Sequence, residues 1–186
     1  VLNAAVDAAT AETVEFDLHE NTLGVSRLLM KASDAAPVRM FLMCNPEMDH
    51  GPDPWHRDVV PAALAPLDGL QEDMLANGPG YVQWNIALYD DDVFLILTAS
   101  HKTPTTEDQR HQLLAAPKSQ FEGGVPVRLK AGDGIVYPNL VMHWGSTYTS
   151  RLRRTIHLGY RSFGSRIFSY HHHLDWYHHD DFLQYA

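Results

Sequence analysis

The sequence predicts one mainly β domain, built as a sandwich, a jelly roll or a barrel. Its 186 residues suffice for a single domain with a sizeable core, and we expect one domain over residues 1–186. No internal repeat, linker or low-complexity stretch divides the chain. From Tyr81 onward, short apolar runs alternate with turn residues, which is typical of an all-β arrangement.

The first part of the chain mixes helical and strand patterns. Residues 1–12 are rich in Ala and are expected to form a frayed helix or a loose lead. Residues 13–18 alternate between apolar and polar side chains, which predicts a strand. Residues 21–32 carry several leucines and favour a helix despite an internal glycine. The apolar run 38–44 indicates a buried strand, and residues 67–76 indicate a short helix that a Gly- and Pro-containing stretch ends.

Short strands dominate the second half. Residues 81–89 and 93–99 indicate two strands joined by a turn of three aspartates. Further strands are predicted at residues 125–129, 134–137, 140–143 and 153–163. Residues 106–116 form the clearest helix, because Thr106 and Gln109 are spaced as a capping box.

Composition excludes several classes of function. The chain is 45% apolar and 20% charged, and its 14 basic and 23 acidic residues give a net charge of −9. Without a long Lys/Arg run it offers no surface for nucleic acid, and no apolar run reaches the length of a membrane span. The single Cys44 excludes an internal disulfide and fits a reducing cytoplasm. Residues 1–4 lack the features of a secretory signal, and the first residue is Val rather than Met, so the sequence leaves open whether an N-terminal segment is missing.

A candidate metal site lies shortly after the apolar run 38–44, where His56 and Asp58 are two residues apart. In an extended segment such residues point to the same side. An imidazole nitrogen with a carboxylate oxygen suits Fe(II), Mn or Zn. Because the chain has 12 histidines, such a pair also arises by chance and needs further support. A histidine-rich tract in the tail could also bind metal, but adjacent residues on one segment point in different directions and rarely converge on one ion. The tract contains His171, His172, His173, His178 and His179.

Two later stretches supply that support. A tight turn at residues 131–134 lies between two predicted strands, and His143 follows at the end of the next strand. Two His and one Asp are the ligands of the facial triad, which leaves positions on the metal open. A basic cluster then opens the last strand, where a guanidinium could bind a carboxylate bidentately. Its members are Arg151, Arg153 and Arg154.

These pieces together resemble the phytanoyl-CoA dioxygenase family of Fe(II)/2-oxoglutarate oxygenases, which includes ectoine hydroxylase. No single piece is specific, but four occur in the family's order over residues 38–163. They are Trp55-His56-Arg57-Asp58; residues 83–91, beginning Gln83-Trp84-Asn85; Ala99-Ser100-His101-Lys102; and the Ala131-Gly132-Asp133 turn followed by His143 and Arg153-Arg154. The resemblance implies a double-stranded β-helix (jelly roll, cupin-like) with a few flanking helices, and iron bound by His56, Asp58 and His143.

The resemblance leaves a choice between two arginines for the 2-oxoglutarate carboxylate. Strand alternation selects Arg153, whose side of the strand also carries Thr155 and His157, whereas the family's commonest spacing from His143 selects Arg154. We favour Arg153. The small polar residue that the family places two after the distal histidine is Gly145 here, and Ser146 comes next as a further candidate cosubstrate contact.

The remaining site residues are expectations of the same kind. Trp55, Trp84, Asn85 and His157 are candidate walls of the substrate pocket. Ser100 and His101 are expected to be turn residues. Residues 67–80 and 103–124 are candidates for the segments that close the pocket.

The resemblance implies an oxygenase that uses Fe(II), 2-oxoglutarate and O2. The keto acid end of 2-oxoglutarate would chelate the iron, succinate and CO2 would be released, and a C–H bond of a small molecule would be hydroxylated. The related halogenases have a small residue in place of Asp58, so hydroxylation is favoured. Two alternatives stay open: a zinc-dependent cupin-like hydrolase or isomerase, and a non-catalytic jelly-roll binding protein. The sequence indicates neither the substrate nor the oligomeric state.

Overall fold

A computed structural model describes residues 2–3, 11–44, 48, 51–59, 67–147 and 152–163. Its helices are α1 (Ala11–Asp17), α2 (Val25–Met30), α3 (Leu67–Asn77) and α4 (Glu107–Ala115), and a π-helical turn (Glu20–Gly24) leads into α2. Its strands are β1 (Leu2–Asn3), β2 (Ala36–Cys44), β3 (Gly51–Pro52), β4 (Tyr81–Ala87), β5 (Asp91–Leu97), β6 (Gly124–Leu129), β7 (Gly134–Pro138), β8 (His143–Trp144), β9 (Ser146–Thr147) and β10 (Arg154–Arg161). The histidine tract of the tail, Arg151 and most of the Ala-rich lead lie outside the described residues.

The strands form two antiparallel layers. The larger sheet has the order β1-β2-β10-β4-β7, and the smaller pairings are β6-β5-β8 and β3-β9. Residues 51–56 run antiparallel to residues 143–147, because the β3–β9 pairing continues into reciprocal backbone hydrogen bonds of 3.0 Å between His56 and His143. The predicted double-stranded β-helix with flanking helices is confirmed. None of the described helices is long and apolar enough to cross a membrane.

The two faces of the larger sheet differ in chemistry. On the outer face of β10, Ile156, Leu158 and Tyr160 pack into the main hydrophobic core, together with Trp84 of β4 and residues of the helical segment 11–32. The side chains of alternate residues, such as His157, point to the inside of the β-helix. All seven residues of β4 are buried, so this strand is covered on both faces. Its inward positions are therefore the places where polar residues need a functional explanation.

The predicted strand at residues 13–18 is wrong, because this segment forms α1. Thr13, Val14, Phe16 and Asp17 are half-buried while Glu15 between them is exposed, which is a helical rather than an alternating period. The hydroxyl of Tyr160 donates to the Asp17 carbonyl at 2.7 Å, and it therefore satisfies a carbonyl group at the helix end. A tertiary contact thus decides between two local patterns.

Other boundaries also differ from prediction. Residues 140–142 form a buried turn rather than a strand, and strand pairing begins only at His143. β5 ends at Leu97, because Ala99 lies in the left-handed region with φ 62° and the chain turns there. The helix prediction at 106–116 is confirmed, with both capping-box hydrogen bonds present between Thr106 and Gln109.

The predicted tight turn between β6 and β7 is also confirmed. Gly132 adopts φ 93°, a conformation that L side chains rarely adopt. Its N–H donates to the Ala87 carbonyl at 2.7 Å, and the Ala87 N–H donates to the Asp133 carbonyl at 2.9 Å. The turn therefore docks on the end of β4.

Gly159 in β10 allows a test of how closely side chains pack on the inner face of the larger sheet. A Cβ atom at this position would overlap the Tyr81 hydroxyl and approach the ring carbons of Tyr81 to 3.0 Å. Gly159→Ala should therefore lower the free energy of unfolding by about 1–3 kcal/mol, measured by urea denaturation. Gly69→Ala in α3 is the matched control, because a Cβ there meets nothing within 4 Å and should stabilise by about 0.5–1 kcal/mol. Equal behaviour of the two variants would contradict the overlap.

Candidate metal centre and its cavity

The structure brings His56, Asp58 and His143 together at one end of the β-helix, with their candidate ligand atoms within 4.8 Å of one another. His56 and Asp58 lie on the segment after β3, and His143 opens β8. The Nε2 atom of His56 lies 3.4 Å from one Asp58 carboxylate oxygen, and the Nε2 atom of His143 lies 3.3 Å from the other. Two backbone hydrogen bonds between the histidines fix this approach.

Both histidine rings are oriented by backbone carbonyls. Nδ1 of His56 lies 2.8 Å from the Pro54 carbonyl oxygen, and Nδ1 of His143 lies 2.9 Å from the Val141 carbonyl oxygen. A carbonyl can only accept, so Nδ1 carries the proton and Nε2 presents a lone pair in each neutral ring. Ligands at about 2.1 Å from a common ion, with bond angles of about 90–110°, are about 3.0–3.4 Å apart. The donor set therefore fits a divalent metal ion.

Asp58 and His143 are both buried, each with 5% exposure. The backbone N–H of Asp58 donates to the Asn139 carbonyl at 2.8 Å, and Nδ2 of Asn139 donates to the Asp58 carbonyl at 3.3 Å. Nε2 of Gln83 donates to a carboxylate oxygen of Asp58. Gln83 belongs to one of the motifs that carry the family resemblance, and the signal for its role was a polar residue at an inward position of a buried strand. No sequence signal pointed to Asn139.

The electrostatics of the site follow from burial and from the Asp58 charge. Burial lowers the pKa of His56, but its hydrogen bond with Asp58 and the charge of Asp58 outweigh this and leave the pKa raised. Burial, and then the Asp58 charge, raise the pKa of the Tyr137 phenol well above its usual value. The Tyr137 ring packs against His143 with centroids 5.1 Å apart. It is therefore a neutral wall of the site.

A cavity of about 290 Å³ opens beside these residues. Of the residues predicted for the site, it is lined by His56, Asp58, His143, Asn85, Arg153 and His157. Other lining residues include Arg39, Phe41 and Met43 of β2, Tyr81 and Gln83 of β4, Phe94 of β5, and Asp53. The cavity thus lies between the two layers of the β-helix.

The structure separates the two candidate arginines. The Arg153 side chain lines the cavity, and its Nε atom donates to the Asp91 carboxylate at 2.7 Å. Arg154 is exposed and does not line the cavity. The backbone of Ser146, in β9, pairs with that of Pro52 in β3. The alternation argument therefore identified the arginine that faces the inside.

The two tryptophans predicted for the pocket are not among the residues that line the cavity. Nε1 of Trp84 donates to the Ser26 hydroxyl at 2.9 Å, on the outer face of β4. Nε1 of Trp55 donates to the Ser119 carbonyl at 2.9 Å, and its ring packs edge-on against Phe121. Both indoles are core residues, because the neighbouring positions on their segments face the metal site. Among the described residues, none of 67–80 or 103–124 lines the cavity.

Arg57, between the two candidate ligands, is a structural residue that the sequence did not indicate. Its Nη1 atom donates to the Ser100 carbonyl at 2.6 Å and to the Leu140 carbonyl. Burial lowers its pKa to about 10, so it stays charged. Arg57 therefore links the ligand-bearing segment to the turn at residues 99–102, where Ser100 and His101 lie as predicted.

His157 occupies the inner face of β10. Its ring stacks on Phe41, with centroids 5.0 Å apart and an interplanar angle of 20°. Burial, and then the charge of Arg153, lower its pKa to about 3. Its Nε2 atom is buried and has no hydrogen-bond partner among the described residues.

The neutral state of His157 predicts a pH dependence of stability. In the unfolded chain the imidazole titrates near 6.5, but in the folded protein it titrates near 3. Between these two pH values the unfolded state binds more protons than the folded state. The stability that the neutral His157 contributes is therefore complete above pH 6.5 and is lost progressively as the pH falls toward 3. His157→Phe keeps the stacked ring and should make the acid side of the urea stability profile less steep. Substitution of His111, whose side chain is 75% exposed, is the control and should leave the slope unchanged.

Comparison with known proteins shows similarity at the level of structure. No protein-family model and no curated protein matches the sequence. AviO1 from Streptomyces viridochromogenes Tue57 matches with 19% identity and a TM-score of 0.57, over 83% of this chain and 63% of that chain. EctD from S. alaskensis, with 2-oxoglutarate and 5-hydroxyectoine, matches with 16% identity and a TM-score of 0.58, over 86% of this chain and 55% of that one.

A third similar structure is SnoN, a non-heme alpha-ketoglutarate-dependent epimerase from nogalamycin biosynthesis. It matches with 16% identity and a TM-score of 0.55, over 81% of this chain and 56% of its own. The chain therefore spans about 55–63% of the length of these three proteins. At these identities the comparisons show a shared fold.

Proposed function

We propose that this protein is an Fe(II)- and 2-oxoglutarate-dependent dioxygenase of the phytanoyl-CoA dioxygenase family. The observation that carries the proposal is the His56–Asp58–His143 cluster in the same cavity as the Arg153 side chain. Two imidazoles and one carboxylate on one side of an ion leave positions open for a cosubstrate and oxygen. The 2-oxoglutarate in the EctD structure and the alpha-ketoglutarate dependence of SnoN agree with this chemistry.

The chain's own residues would divide the work. His56, Asp58 and His143 would hold the iron through two Nε2 atoms and a carboxylate oxygen, with Gln83 fixing the carboxylate. Arg153 would bind the far carboxylate of 2-oxoglutarate, and Ser146 is a further candidate contact. Fe(II) with 2-oxoglutarate and O2 supplies the oxidising power, with release of succinate and CO2. Phe41, Phe94 and Tyr137 would exclude water.

The reaction that we propose is hydroxylation of a C–H bond in a small molecule. A cavity of about 290 Å³ fits a small substrate, and the net charge of −9 disfavours a polyanionic partner such as nucleic acid. Because Asp58 is present, there is no room for a halide in its place. We propose that residues 1–186 act as one domain in the cytoplasm.

An anaerobic titration tests the proposal. Fe(II) and then 2-oxoglutarate are added to the protein while the visible spectrum is recorded. We expect a weak charge-transfer band that requires both additions, because only the keto acid chelated to iron gives it. Absence of the band together with tight zinc binding would refute the oxygenase and favour the zinc-dependent hydrolase or isomerase.

A further inference from the structure

Two polar side chains on the cavity wall each keep one unsatisfied buried atom. Asn85 of β4 and His157 of β10 are Cα partners in the larger sheet, and both line the cavity. Directly opposed residues on one face of a sheet have Cβ atoms about 4.5–5.5 Å apart. Oδ1 of Asn85 and Nε2 of His157 are buried without a hydrogen-bond partner among the described residues. Such atoms are costly unless a ligand or water satisfies them.

Neighbouring contacts fix the orientation of both groups. Nδ2 of Asn85 donates to the Tyr137 hydroxyl at 3.2 Å, so Oδ1 is the acceptor that is left over. The His157 ring is held by its stacking on Phe41. The pair therefore offers a fixed acceptor beside an imidazole, on the wall of the cavity that the metal ligands and Arg153 also line.

We infer that Asn85 and His157 together recognise a neutral hydroxyl group of the substrate. A hydroxyl can donate its proton to Oδ1 of Asn85 and accept a hydrogen bond from His157 in the tautomer protonated at Nε2. One group thus satisfies both buried atoms. The inference rests on the proposed function, because the metal site defines the part of the cavity in which a substrate reacts.

Charged groups fit this position less well. A carboxylate, including either carboxylate of 2-oxoglutarate, has no proton to donate to Oδ1 of Asn85 and would face its lone pairs. An ammonium group would add a positive charge beside the proposed metal ion and the guanidinium groups of Arg39 and Arg153, although Asp53 also lines the cavity. Burial, and then the charge of Arg153, lower the pKa of His157, while the charge of Asp58 acts in the opposite direction, and the imidazole is therefore neutral.

The test uses three ring compounds that differ only in their polar group: cyclohexanol, cyclohexylamine and cyclohexanecarboxylate. The anaerobic charge-transfer band of the Fe(II)/2-oxoglutarate protein is recorded first, since it reports the proposed function independently. Dissociation constants are then measured by ligand-observed NMR on the zinc-loaded protein with 2-oxoglutarate. We expect cyclohexanol to bind at least about fivefold more tightly than either charged analogue, the difference that one satisfied hydrogen bond makes.

Variants separate recognition from structure. Asn85→Leu and His157→Phe should each weaken cyclohexanol binding on the order of fivefold to tenfold. Met43→Leu, elsewhere on the same wall, should leave it unchanged. His157→Phe should also keep or raise the melting temperature, because it removes an unsatisfied buried atom.

Four results would overturn the inference. They are tighter binding of a charged analogue, unchanged cyclohexanol binding in both variants, failure of all three compounds to bind, and an equal loss in Met43→Leu. If the band forms and one of these results is obtained, the oxygenase proposal stands and the hydroxyl site does not. If the band is absent but cyclohexanol is preferred and both variants lose it, the oxygenase proposal fails and the polar site remains.

Discussion

Replacing Asp58 with alanine is expected to abolish Fe(II)-dependent turnover of 2-oxoglutarate. Each carboxylate oxygen of Asp58 faces one histidine Nε2, at 3.4 and 3.3 Å, so the substitution removes the one anionic donor of the cluster. Loss of residues that only support a ligand typically costs 10–100-fold in metal affinity or activity, and loss of the ligand itself should cost more than about 100-fold. Succinate formation without added substrate measures the effect.

Two further variants separate the loss of a metal ligand from the loss of a neighbouring side chain. Asp53→Ala removes a carboxylate that lines the same cavity but is not part of the cluster, and it should retain turnover. Gln83→Leu leaves all three ligands and removes only the amide that donates to Asp58, so a loss of about 10–100-fold is expected. Circular dichroism checks that each variant is folded. Undiminished succinate formation by a folded Asp58→Ala protein would remove Asp58 from the metal site.

The sequence predicted the strands best where both faces of a strand are constrained. In β10, apolar residues such as Leu158 and Tyr160 on the helix side alternate with inward residues such as His157, and this period is visible without a structure. Residues 13–18 show a similar alternation over too short a span. There, the hydrogen bond from Tyr160 to the Asp17 carbonyl comes from a residue 143 positions away, which no local pattern contains.

The candidate site was predictable in part for a related reason. His56 and Asp58 are close in sequence, so their i, i+2 spacing alone suggested convergence. The placement of His143 beside them depended on the order of four motifs rather than on any distance along the chain. The β4–β10 pairing sets the side of the sheet that each of residues 83–85 faces. Adjacent residues of a strand face opposite sides, so Trp84 and Asn85 could not both line the pocket, and the structure places Asn85 on the inner face together with Gln83.

Arg153→Ala is expected to weaken 2-oxoglutarate binding by at least about 30-fold, whereas Arg154→Ala should change it less than about twofold. Truncating one partner of a buried, hydrogen-bonded charge pair costs about 2–5 kcal/mol, and the side chain of Arg153 is 14% exposed. Arg154 is exposed and outside the cavity, where a charge contributes little. The half-saturation of the anaerobic charge-transfer band with 2-oxoglutarate measures both effects.

The pairing of Arg153 with Asp91 requires a control for folding. The Asp91 side chain is 4% exposed, so Arg153→Ala leaves a buried carboxylate without this partner and should also lower the melting temperature. The double variant Arg153→Ala/Asp91→Ala removes both charges and should recover much of that stability, while its 2-oxoglutarate affinity stays low. Recovery of both properties would show that Arg153 only supports the fold. Recovery of stability alone would show that its guanidinium binds the cosubstrate carboxylate.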